Sequence, residues 1–167
     1  MTYAYSPFPL DKWVSSFLRR LGIFNSEDID ERAISRKLNI HLKYSNKRNY
    51  SYQEGNFKII NINIDQNKEK QREVFYHELC HILRHTGCQL SMPLSWKELQ
   101  EWDCEHFTRY AAIPFHMLLE LDWRSPTLVS DMSSMFNVSE EICQARIEHI
   151  RRNMKEKSKG ARVQWQV

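Results

Sequence analysis

The segment Phe75-Tyr76-His77-Glu78-Leu79-Cys80-His81-Ile82-Leu83-Arg84-His85 decides how the whole chain is read. On a helix that turns about 100° per residue, with His77 at 0°, His81 falls at about 40°, His85 at about 80° and Glu78 at about 100°. Phe75, Tyr76, Leu79, Ile82 and Leu83 fall at about 140–260°, so polar and apolar faces separate. Burying the apolar face aims the other into a cleft. Two imidazoles one turn apart can there share one ion. Zinc suits two histidines and a carboxylate, with its last position left to water. Glu78, beside the first histidine and on the same side, is placed to take a proton from that water rather than to bind the metal. His85 lies about 12 Å along the axis from His77, far for a shared ion, and is read either as a partly buried helix-end histidine or as one that lines the cleft or supports a ligand from behind.

The third ligand must come from elsewhere. A third histidine at the metzincin spacing is absent, because position 84 is Arg and position 87 is Gly. The stretch EWDCEHFTRYAAIP at residues 101–114 offers Glu101 and Glu105 one turn apart on a common helix face. Asp103 points about 200° away from Glu101, so the two cannot address one ion. The expected ligand set is His77, His81 and Glu101, with Glu78 as the base. Glu105 is expected either to orient a ligating histidine or to pair with Arg109 at i+4.

A chain of 167 residues, 41% hydrophobic and 27% charged, suits one soluble globular domain rather than a fibrous or disordered polymer. No run reaches the roughly 18–20 apolar residues of a membrane span, and the start MTYAYSPFPLDKW has no secretory pattern. Cys80, Cys88, Cys104 and Cys143 form no CxxC pair, so they are read as reduced thiols of a cytoplasmic protein. The net charge of +3 owes its sign to the segment from Arg151 to Arg162. Residues 1–157 are expected to form a single domain and residues 158–167 a basic, flexible tail.

Periodicity predicts a helix over about residues 10–21, stopped by Gly22, and a second over 28–38. Strands follow at Ile40, Leu42 and Tyr44 and at residues 57–64, after the turn Glu54-Gly55-Asn56. Helices are then expected over 68–83, 95–112, about 115–121 and 139–154, in an α+β chain with most of its helix after residue 68.

With both candidate helices in view, the chain resembles the ImmA/IrrE family of zinc metallopeptidases. The resemblance rests on HELCHILRH at residues 77–85 and on residues 101–114, similar to a family pattern Glu-x-x-Ala-Asn-x-Phe-Ala that closes on Leu-Met-Pro. It extends through DIDERAISRKLNIHL and MFNVSEEICQARI, and so over roughly residues 10–150. Cys104 and Glu105 stand where the family has Ala and Asn or Asp, and Ile113 replaces Met before the proline. The ligand set is unaffected. The resemblance implies a mostly helical, zincin-like metalloprotease domain with a small β-sheet, holding Zn2+. It also implies a cytoplasmic endopeptidase of phage or integrative elements whose protein substrate is a helix-turn-helix repressor.

Such an enzyme needs a donor for the developing oxyanion, and Tyr110, His106, His116 and Arg109 are the candidates. A competing reading makes the protein a DNA- or protein-binding regulator in which zinc only staples two helices. It draws on Phe136-Asn137-Val138-Ser139 before a helix and on the basic tail. Ordinary capping by Ser139 explains that stretch, and Glu140, Glu141 and Glu148 argue against nucleic acid as a partner. A structural site closes with four protein ligands, and Cys80 is expected to point to the far side of the helix from His77 and His81. The tryptophans are read as core or edge packing, with Trp96 and Trp102 as the two that would line a groove.

Overall fold

A computed structural model of the protein describes residues 7–85 and 92–163. Helix α1 (Pro9–Arg20) starts on a proline at its first turn and ends where Gly22 adopts φ +76°. That left-handed step lets Gly22 N–H and Ile23 N–H bond back to Arg19 and Leu18 carbonyls. The helix expected over 28–38 is two pieces: a 3-10 turn, Ser26–Asp28, capped by Asn25, and α2 (Glu31–Lys37), capped by Asp30. Each cap side chain accepts from first-turn N–H groups of the helix that follows it, so Asp30 starts α2 afresh after the 3-10 turn.

Strands β1 (His41–Ser45), β2 (Tyr50–Glu54) and β3 (Phe57–Asn63) form one sheet in the order β1-β3-β2. β1 runs parallel to β3 and β2 antiparallel to it. β3 is central, and its Ile60 and Ile62 are fully buried. Two strands were expected from the sequence; β2 is the addition. Its residues YSYQE carry no apolar alternation, because β2 is an edge strand whose far half is exposed. Its place is set by the tight turn at Gly55, φ +55°.

Helix α3 (Lys68–Arg84) begins at the Asn67 cap, and the Gln71 carboxamide donates to the carbonyls of Ile64 and Gln66. These bonds tie the start of the helix to the end of β3. Phe75, Tyr76 and Leu79 are fully buried, as the helical angles require. Helix α4 (Leu94–Ala112) packs along α3 and stops before Pro114, where a 3-10 segment, Phe115–Glu120, takes over. Helix α5 (Leu128–Phe136) is a further addition; Leu128, Met132 and Phe136 supply its buried face at a spacing of four. Asn137 in the left-handed conformation separates it from α6 (Glu140–Val163). α6 therefore continues to Val163, into the segment expected to be a flexible tail from residue 158.

The result is the α+β architecture expected. One long-range bond closes it: Arg146 on α6 and Asp11 on α1 form an ion pair at 2.9 and 3.0 Å, with both side chains 0% exposed. No helix among the described residues is long and apolar enough to cross a membrane.

Candidate metal centre

α3 and α4 bring three donor groups together. His77 Nε2 lies 3.1 Å from Glu101 Oε2, and His81 Nε2 lies 3.4 Å from Glu101 Oε1. The two histidine Nε2 atoms are 3.3 Å apart. Donors held about 2.0–2.1 Å from one tetrahedral zinc stand about 3.3–3.4 Å from each other, so the two imidazoles and the carboxylate, each histidine facing a different Glu101 oxygen, are spaced on the scale of a single ion's ligands. The exposure rises in the same direction, from 13% at the His81 side chain through 30% at His77 to 46% at Glu101. The centre therefore opens to solvent on the Glu101 side.

Burial drops the His81 imidazole to about 4, so its ring is neutral at neutral pH and keeps a lone pair for a metal. Glu78, one residue beyond His77, accepts a 2.7 Å hydrogen bond from the Ser51 hydroxyl on β2. Burial raises the Glu78 carboxyl above its ordinary value, and the Ser51 bond pulls it partly back. A carboxylate of raised basicity beside a metal-sized cluster is suited to accept a proton.

Behind His81 lies a second layer. His81 Nδ1 is 3.2 Å from His85 Nδ1, and His85 Nε2 is 3.1 Å from Asp103 Oδ2. Arg84 holds the same carboxylate through Nε at 2.7 Å and Nη2 at 3.0 Å. Burial opposes charge on Asp103, yet the Arg84 bonds and charge prevail and hold it below its ordinary value. His85, the C-cap of α3, has left helical geometry (φ −116°, ψ 123°), which brings it beside His81 rather than into the Glu101 cluster.

Several expectations change here. Glu105 is exposed and bonds neither to Arg109 nor to a histidine; the contacts to a histidine backing the cluster come from Asp103. Asp103 does point away from Glu101, and that direction is what delivers it to His85. Cys80, expected on the far side of the helix from His77 and His81, faces α4, its thiol 3.8 Å from Asp103 Oδ2. Cys80, Cys104 and a His85 nitrogen lie within 4.8 Å of one another, and Cys104 lies as close to His77 and His81. Cys80, Cys104 and Cys143 are free and buried, while Cys88 and Trp165 fall outside the described residues.

Of the candidate oxyanion donors, Tyr110 is bonded to His149 at 3.1 Å and His116 sits between Ser15 and the Ile23 carbonyl. His106 contacts the Trp102 carbonyl at 2.8 Å. Trp96 and Trp102 are 62% and 57% exposed, so neither is core. Ser51 was not singled out from the sequence; a serine in a polar edge strand gives no signal before the strand is placed.

A family model for the IrrE N-terminal-like domain matches residues 35–148, a span that contains α3 and α4. The chain is 30% identical over 146 residues to the phage-like element PBSX protein XkdA of Bacillus subtilis (strain 168), covering 86% of this chain and 73% of that protein. It is 26% identical over 147 residues to the uncharacterized protein YqaB of the same strain, covering 86% and 84%.

Proposed function

The chain belongs to the ImmA/IrrE family of peptidases, and from that premise we propose that it is a zinc-dependent endopeptidase with His77, His81 and Glu101 as ligands and Glu78 as general base. The observation that carries the reading is the set of spacings among two Nε2 atoms and one carboxylate, 3.1, 3.3 and 3.4 Å, at the edge of solvent. A bound zinc would polarise the scissile carbonyl and acidify a water in its open position. Glu78 accepts the proton of the attacking water and returns it to the departing amine. Ser51 holds the Glu78 carboxylate while it does so. His77 and His81 keep their Nε2 lone pairs on the site, and Glu101 supplies the negative charge from α4.

The substrate fitting the family and the phage-element relative is a helix-turn-helix repressor, and cytoplasm is the compartment that suits the unpaired thiols. Purified protein incubated with a candidate repressor should cleave it in the presence of zinc and not in the presence of a chelator. Cleavage unaffected by chelation, or by Glu78→Gln, would sink the reading.

One observation favours a second reading, the non-catalytic regulator stapled by zinc. Cys104 lies within 4.8 Å of His77 and His81 and could close the coordination as a fourth protein ligand. Its hydrogen bond with Cys80 and burial both push the Cys104 thiol far up, which keeps it protonated in the absence of metal. Cobalt substitution separates the two: a thiolate ligand gives an intense near-ultraviolet charge-transfer band that Cys104→Ala abolishes, whereas the open site gives none.

A further inference from the structure

We propose that Asp103 and His85 form a hydrogen-bonded chain that sets the tautomer and angle of His81, which makes both of them positioning residues for the metal centre. The inference rests on the ligand reading above, because it concerns what stands behind one of those ligands.

His81 presents Nε2 to His77 and Glu101, so its remaining ring nitrogen, Nδ1, points away from the cluster. A neutral imidazole carries one proton, and a ring that offers its Nε2 lone pair must carry that proton on Nδ1. The atom facing Nδ1 is His85 Nδ1, at 3.2 Å. It can accept only if the proton of His85 sits on Nε2. His85 Nε2 in turn faces Asp103 Oδ2 at 3.1 Å, and an ionised carboxylate only accepts. One direction satisfies all three links: His81 Nδ1–H donates to His85 Nδ1, and His85 Nε2–H donates to Asp103. The Cys104 thiol, 3.6 Å from His85 Nδ1, is a second donor aimed at the same lone pair.

The end of the chain is anchored. Arg84 grips both oxygens of Asp103, and the Cys80 thiol lies 3.8 Å from one of them. The His81 and His85 side chains are 13% exposed and Asp103 18%, so little water competes for these bonds. Asp103 stands on α4 two residues from Glu101. The chain therefore fixes His81 relative to the helix that carries the third ligand, and a carboxylate behind a ligating imidazole also raises its basicity.

The arrangement excludes a competitor at the same place. Cys80, Cys104 and His85 lie close enough to hold a metal of their own, but that ion would need one of the two His85 nitrogens, which the His81 and Asp103 bonds engage.

Zinc affinity, measured by competition with a chromogenic chelator, tests the chain in His85→Leu and His85→Gln. Leucine removes the His81 Nδ1–H bond and cuts its link to Asp103, which Arg84 still holds, and the dissociation constant should rise about 10–100-fold. Glutamine keeps an acceptor for His81 and a donor for Asp103, and should recover most of that loss. Equal affinities in wild type, His85→Leu and His85→Gln would overturn the proposal with the ligand set intact, whereas a wild type that binds no zinc would instead remove the reading beneath it. A second bound metal, lost in Cys104→Ala, would also overturn it. Should His85→Leu fail to fold, nitrogen-15 spectra of the zinc-free wild type decide. The chain requires His81 protonated at Nδ1 and His85 at Nε2, and His85 protonated at Nδ1 contradicts it.

Discussion

The Ser51 hydroxyl on the edge strand β2 donates a 2.7 Å hydrogen bond to Glu78 Oε2 on α3, joining the rim of the sheet to the acidic residue of the helix motif. Burial raises the Glu78 carboxyl, and the Ser51 bond is the largest influence drawing it down. Ser51→Ala removes a bond that favours the ionised form, so the carboxyl should rise further. A base must be deprotonated to act, and the acid limb of the kcat/KM profile should therefore move to higher pH while the alkaline limb stays. An acid limb that is unmoved, or displaced downward, would show that Ser51 does not serve the base.

Glu78→Gln keeps the shape of the side chain and leaves His77, His81 and Glu101 in place. Loss of a general base costs about 10²–10⁴-fold in rate, so repressor cleavage should fall by that order with zinc content at the wild-type level. A variant that cleaves as fast as wild type removes Glu78 from the chemistry.

His81→Ala deletes the least exposed of the three candidate ligands, 13% exposed in its side chain. Metal analysis should find one zinc per wild-type chain and a large loss in the variant, and a chelator should lower the unfolding midpoint of wild type only. Full zinc content in the variant places the metal elsewhere.

Asp11→Ala should be severely destabilising although it lies outside the metal centre. Arg146 is 0% exposed, donates to both Asp11 oxygens and bonds the Ile113 carbonyl at the end of α4. Removing one partner of a buried pair strands the other charge and costs about 3–5 kcal/mol. Denaturant unfolding reads the loss directly, and a change under about 1 kcal/mol would mean the pair is solvated.

The sequence holds four cysteines, of which Cys80, Cys104 and Cys143 are free and 0% exposed. A thiol reagent should titrate four groups in unfolded protein without reductant, and those three should react only on unfolding. Rapid native reaction of more than one thiol would contradict the burial.

The amino-acid sequence determined the parts of this protein that depend on local periodicity. His77, Glu78 and His81 share a face because a helix turns about 100° per residue, and the apolar residues opposite them bury that helix whatever it packs against. The direction of Glu101 was legible for the same reason: two residues apart on one helix, Glu101 and Asp103 point about 200° from each other. What lay across from those directions depended on how α3 and α4 cross and on where the chain leaves helical geometry, and no pattern within either segment encodes it. His85 looked too distant along the α3 axis to share the ion, yet the helix ends there and the side chain returns to His81. Asp103 and Cys80, read as facing away from the ligands, meet each other because the two helices are packed side by side. β2 and its Ser51 escaped notice because an edge strand is stabilised by backbone pairing with β3, which leaves its side chains free to be polar. Tertiary structure alone brought that strand over Glu78, since hydrogen bonds between distant segments are decided by packing and not by sequence spacing.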